Sequence, residues 1–270
     1  MYRDFLRQNG VLQYASLPFS ECRVTKPYLV EKIKGFVPQS VLMLLIPYYA
    51  GEAENLSVYA ASRDYHLFMK DLLSGLSNAL ASEFRGYSFY GFSDHSPIDE
   101  REAASKAGLG VIGENGLLIT ERYSSFVFIA EIVSDIFPEA LGTVSVFEVR
   151  HCFGCGACKK ACPTGILRGE GDACLSALTQ KKGALTEAEA DIIKKCGSAW
   201  GCDVCQNVCP YTEKAKRSGS IMTEIPFFYE KRIERLTLDG VCGMTDEEFD
   251  ERAFSWRGRA TLLRNLEILK

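Results

Sequence analysis

Nine of the chain's eleven cysteines fall between Cys152 and Cys209, which makes that stretch the place to look for chemistry. The first run, HCFGCGACKKACPTG, sets Cys152, Cys155, Cys158 and Cys162 at spacings of three, three and four residues and ends Cys-Pro. Three thiolates so spaced clamp one iron-sulfur cluster, and the fourth reaches across to a second. The geometry demands a second set, and Cys202, Cys205 and Cys209 supply it, again ending Cys-Pro. Crossing the runs assigns Cys152, Cys155, Cys158 and Cys209 to one 4Fe-4S cluster. Cys162, Cys202 and Cys205 are left one ligand short for the other, and spacing leaves Cys174 and Cys196 both open as the eighth. Structural zinc also uses paired Cys-x2-Cys units, but it has no need of two Cys-Pro endings or of an interleaved eight-thiolate set. Cys22 and Cys242 stand apart and read as plain thiols.

The rest of the chain must position these groups. At 270 residues, 47% apolar and 24% charged, it has the composition of a globular protein with a sizeable core. The first residues, MYRDFLRQNG, lack an apolar leader, and no apolar run is long enough to span a bilayer. We therefore expect a cytoplasmic protein whose thiols are reduced, which favours metal over disulfides. A net charge of −4 with mixed signs gives no global attraction to nucleic acid.

The apolar run 40–46, SVLMLLI, predicts a strand buried on both faces. Phe68, Leu72, Leu73, Leu76, Leu80 and Phe84 form one apolar helix face over 62–84. Residues 87–92 and 125–133 predict two more strands, with the Gly-rich AGLGVIGENG turn region between them. Capping boxes at Thr186–Glu189 and Thr245–Glu248 open later helices, the second with Phe249, Ala253 and Phe254 on one side. The expected class is α+β. It comprises a mixed α/β body over 1–145, a bacterial-type double 4Fe-4S ferredoxin-like domain over 146–215, and a helical tail over 216–270 packing on the body.

With GCDVCQNVCP in view, the chain resembles the epoxyqueuosine reductase family of cobalamin-dependent iron-sulfur enzymes. ASRDYH (61–66), SDHSPIDEREAASKAGLGVIGENGLLIT (93–120), SSFVFIAEIVSD (124–135), DACLSALTQKKG and MTDEEFDERAFSWRGRATLLRN resemble family stretches in order and spacing. The resemblance implies Cys174 as the eighth cluster ligand and Cys196 as spare. It also implies a bound cobalamin with the second cluster near its corrin, and two-electron reduction of an epoxide on the modified anticodon base of tRNA to an alkene. Asp94 occupies the place of the family's catalytic acid, although Ser-Asp-His-Ser-Pro by itself is turn chemistry. Proton delivery where oxygen leaves is what such a reduction requires of a carboxyl.

By the same resemblance Tyr65 and His66 belong to the cobalamin pocket; alone, a histidine on an amphipathic helix is ordinarily packed and hydrogen-bonded. Arg101 would contact a corrin amide, a phosphate or a carboxylate, or else pair with Glu100 or Glu102. Gly110 and Gly113 would let backbone approach the cofactor. A helix-like stretch precedes these glycines, so a dinucleotide site is discounted. With no Asp-x-His-x-x-Gly stretch, the cobalt is expected to keep an open lower face.

The chain is expected to be a short form without the family's C-terminal helical repeats, and Glu114 stands where lysine is common. Both weaken the expectation of tRNA as partner. The expected reductant is a flavodoxin or ferredoxin system, the expected state a monomer. The alternatives are a ferredoxin-like electron carrier and a corrinoid reductase with another small substrate.

Overall fold

A computed structural model describes residues 1–142 and 144–270. The chain forms two compact units, Met1–Pro47 with Phe68–Gly154, and Tyr48–Leu67 with Cys155–Lys270.

The first unit is built on an antiparallel sheet. Among the described residues its strands are β1 (Gln13–Pro18), β2 (Ser40–Pro47), β3 (Phe89–Ser93) and β6 (Val127–Ser134), in the order β1-β2-β6-β3. All eight residues of β2 are buried, as its unbroken apolar run predicts. Helix α1 (Tyr2–Gln8) precedes the sheet and a short α2 (Tyr28–Glu31) lies between β1 and β2. Helix α3 (Tyr65–Glu83) buries Met69, Leu72, Leu73, Leu76 and Leu80. It approaches β3 closely enough that a Cβ on Gly91 would lie 2.7 Å from the Leu73 Cβ. Helix α4 (Glu100–Lys106) packs on β2 and β6 through Ala103, Ala104 and Ala107, in one core with Val41, Met43, Leu45 and Val133. A hairpin of β4 (Val111–Ile112) and β5 (Leu118–Ile119) follows, where the Gly-rich turn region is expected.

The second unit is helical: α5 (Ala157–Ala161), α6 (Leu175–Thr179), α7 (Glu187–Cys196), α8 (Val204–Asn207), α9 (Pro210–Ser218), α10 (Leu238–Gly243), α11 (Asp246–Asp250) and α12 (Arg259–Ile268). Both capping boxes form. The second opens only five residues of helix, after which the chain turns and restarts as α12.

The compact units do not follow cuts at 145 and 215. Leu56, Ala60 and Ala61 share one core with Trp200, Leu236, Phe249, Phe254 and Leu262. Residues 48–67 and the tail therefore fold with the cysteine-rich segment, and 216–270 is no separate piece. Among the described residues, no helix is long and apolar enough to cross a membrane.

Candidate functional site

The cluster cysteines, all in the second unit except Cys152, sit on loops and short helices that other residues pin down. Gly154 and Gly156, between the first cysteines, hold φ of 69° and 72°, and Gly156 caps α5, which carries Cys158. Helices α5 and α8 pack together, which brings the segment of Cys158 to that of Cys205. Burial works to raise the Cys162 thiol, but the N–H groups of Leu167, Thr164 and Gly165 and the Thr164 hydroxyl outweigh it and hold the thiol below its ordinary value. Such a nest of donors suits a thiolate. Cys202 is pushed up to about 12, first by burial and then by the neighbouring Cys174 and Cys205. Crowded thiolates of this kind call for a cationic centre among them, as iron provides. Cys196 lies within electrostatic reach of Cys162 and is raised by burial. Among the described residues no three Cys, His, Asp or Glu side chains converge on a single ion. In a 4Fe-4S cluster the cysteine thiolates ligate the irons of the cluster and need not meet at one ion.

Two residues that spacing does not reveal fix the second cysteine run. Asp203, buried, accepts from the Ser57 hydroxyl (2.6 Å), the Val58 N–H (2.7 Å) and the Gln206 amide (2.9 Å). Asn265 of α12, wholly buried, donates to the carbonyls of Thr179 (2.6 Å) and Ala199 (2.8 Å), while the Thr179 hydroxyl receives the Gly201 N–H (2.9 Å). The one available sequence cue was an acid wedged between two cysteines.

At the start of α3, the rings of Tyr65 and His66 stack 4.1 Å apart at 28°. Asp64 accepts from the His66 backbone N–H (3.0 Å) and holds its Nδ1 at 2.8 Å, which fixes the ring.

In the first unit, Asp94 follows β3 at φ 61°, one of three non-glycine residues at positive φ among those described. It is exposed. A left-handed aspartate at a loop tip is tolerated strain of the sort that gathers at functional sites. The loop is buttressed by residues 23–26, whose backbone bonds to Pro97 and Asp99, and by His95 lying 3.2 Å from both the Lys26 amine and the Tyr28 hydroxyl. Asp99 caps α4 by accepting the Glu102 N–H. Arg101 donates to the Gly116 carbonyl (2.8 Å) and lies 3.9 Å from Asp99, so its observed partners are the hairpin and the cap rather than Glu100 or Glu102.

Gly110 and Gly113 meet their own chain. A Cβ on Gly110 would lie 2.7 Å from the Ile119 carbonyl oxygen, and one on Gly113 would collide with the Asn115 side chain. Gly110 is thus required by the packing of the β4–β5 hairpin, whereas at Gly113 only side-chain ends would have to move.

Behind the Asp94 loop lies a group that sequence patterns did not single out. Glu131, in the centre of β6, is wholly buried and accepts a short hydrogen bond from the Ser96 hydroxyl. Glu100, at the start of α4, lies against it and accepts the Asp94 N–H at 3.2 Å. A lone acid inside the apolar run VFIAEIVS was the cue available.

Two family models match the chain: "4Fe-4S double cluster binding domain" over residues 151–212, and "Epoxyqueuosine reductase QueG, DUF1730" over 35–95. An epoxyqueuosine reductase of Cellulophaga algicola is 30% identical over 97% of this chain and 85% of its own length. That of Burkholderia pseudomallei is 32% identical over 80% of this chain, but the match spans only 55% of the relative. The fold is that of a solved epoxyqueuosine reductase in complex with a tRNA-Tyr epoxyqueuosine-modified stem loop, with a TM-score of 0.76, 22% identity, and coverage of 99% of this chain and 79% of the other. A double-cluster cysteine set on pinned loops, the α+β architecture and these likenesses agree, and the chain belongs to the epoxyqueuosine reductase family of oxidoreductases.

Proposed function

We propose that this chain is a cytoplasmic reductase that converts an epoxide on a modified tRNA anticodon base to an alkene. The observation that carries this reading within a family-matched chain is Asp94, an exposed carboxyl held at positive φ on a buttressed loop. A ferredoxin-like carrier would leave that strained loop without a task.

Cys152, Cys155, Cys158 and Cys209 would hold one 4Fe-4S cluster, and Cys162, Cys202, Cys205 and Cys174 the other. Cys174 is preferred to Cys196 because it lies with Cys205 in the charge field of Cys202, and because the family stretch DACLSALTQKKG carries it. The fixed, stacked pair Tyr65 and His66 fits a cobalamin contact, and the Arg101 guanidinium fits an amide or phosphate. When bound, cobalamin supplies a low-valent cobalt that can give electrons to the reacting carbon. Asp94 supplies the proton to the oxygen as its bond to carbon breaks. The overall balance is epoxide, two electrons and two protons to alkene and water, with a flavodoxin or ferredoxin system as the electron source.

The test is anaerobic reconstitution with iron, sulfide and cobalamin, followed by turnover of epoxyqueuosine-containing tRNA. Conversion to queuosine is expected, with Asp94→Asn slowed about a hundredfold or more while still binding cobalt and about eight irons per chain. Full iron loading with no cobalt retained would sink the cobalamin-dependent reading.

A further inference from the structure

Glu131 pairs with Met43 on β2 and Phe92 on β3, and lies on the sheet face that Val41, Met43, Leu45 and Val133 make apolar. None of it reaches water. Oε1 accepts from Ser96, and Ser96 in turn receives the Ile98 N–H (3.1 Å), so the hydroxyl's single proton is committed to Oε1. Oε2 finds no donor among the described residues. The group beside it is the Glu100 carboxyl, also an acceptor when ionised. Two facing carboxyls satisfy one another only when a proton lies between them. Leaving a fully buried carboxylate oxygen bare is far costlier than protonating it. The proton therefore sits on Glu131, whose O–H donates to Glu100.

That places Glu100 between a neutral acid behind it and the Asp94 loop in front. Burial is the main cause that pushes Glu100 up to about 7; the Asp94 charge adds to this, while the Glu131 bond, the Asp94 N–H and Lys26 pull the other way. Glu131 is raised well above the carboxylate range, first by burial and then by Glu100.

Resting on the reading of Asp94 as the acid, we propose that Glu100, positioned by a neutral Glu131, is the proton store that reloads Asp94 between the two proton transfers of epoxide reduction. Asp94 gives its proton to the epoxide oxygen as the first C–O bond breaks and becomes a carboxylate. The Glu100 proton then passes to Asp94, leaving Glu100 ionised and held by the Glu131 O–H. Asp94 protonates the hydroxyl, the second C–O bond breaks and water leaves. The two electrons come from the low-potential protein reductant, and solvent at the exposed loop returns the proton to Glu100.

Infrared pH-difference spectra of the full chain with its clusters, labelled with 13C-glutamate, test this alongside pH–rate profiles. A carboxyl titrating near pH 7 is expected in the wild type and absent from Glu100→Gln. Glu131→Leu should move that midpoint upward, because the donated O–H is gone, and Glu131→Gln should bring it back. Turnover should fall above about pH 7, and Glu100→Gln should lose that limb while running roughly ten- to a hundredfold slower. No carboxyl titrating between about pH 6 and 8 overturns the proposal. An active wild type whose rate and profile survive Glu100→Gln sinks the relay alone, whereas a wild type inert toward the epoxide removes the function and the relay together.

Discussion

At the scale of single residues, the cysteines divide by what surrounds each sulfur. Cys174 is exposed at the cap of α6 and in the charge field of Cys202, whereas Cys196 closes α7 beside the small core of Leu175, Leu178 and Ile193. Cys174→Ser should lower iron after reconstitution from about eight to about four per chain, with Cys196→Ser remaining near eight; colorimetric iron and sulfide determination reads the difference. The cysteine runs were legible because cluster geometry imposes a fixed spacing on the chain. Glu131 was not, since one acid in an apolar strand declares its burial without naming the group it faces.

At the scale of elements, α12 holds the approach to the second cysteine run through the polar clamp of Asn265. Asn265→Ala would leave the buried carbonyls of Thr179 and Ala199 without their donor, at a cost of about 2 kcal/mol. Amide exchange over 199–206 should quicken in that variant, and its second cluster should be lost first on exposure to air. Exchange that stays at wild-type rates would show the clamp to be idle. The long helix α3 and strand β2 were readable from periodicity because each buries a continuous face. Strand β1, QYASLP, was not predicted: its alternation is weak, and it is a strand because β2 offers it a register, Gln13 opposite Leu45 through Pro18 opposite Ser40. Pairing between distant segments also explains why 48–67 was read with the body, although its core partners lie beyond residue 199.

For the molecule as a whole, the two raised carboxyls tie stability to pH. Glu100 has a folded value near 7 against an ordinary 4.5. Its contribution is therefore complete below about pH 4.5 and declines as pH rises through 7, since the unfolded chain releases the proton first. Glu131 extends the decline to higher pH in the same direction. Thermal melts across about pH 5 to 9 should show Tm falling for the wild type and falling less for Glu131→Gln, which cannot ionise. An equal slope in both would mean that the pair is not protonated in the native state.

The Asn265 clamp also bears on the order of synthesis. A ribosome makes Cys202 and Cys205 some sixty residues before Asn265, and at the usual pace of several residues per second the nascent chain carries those thiols for seconds with the Asp203 anchor made but the α12 clamp still missing. Iron delivered during that interval meets a site without its final shape.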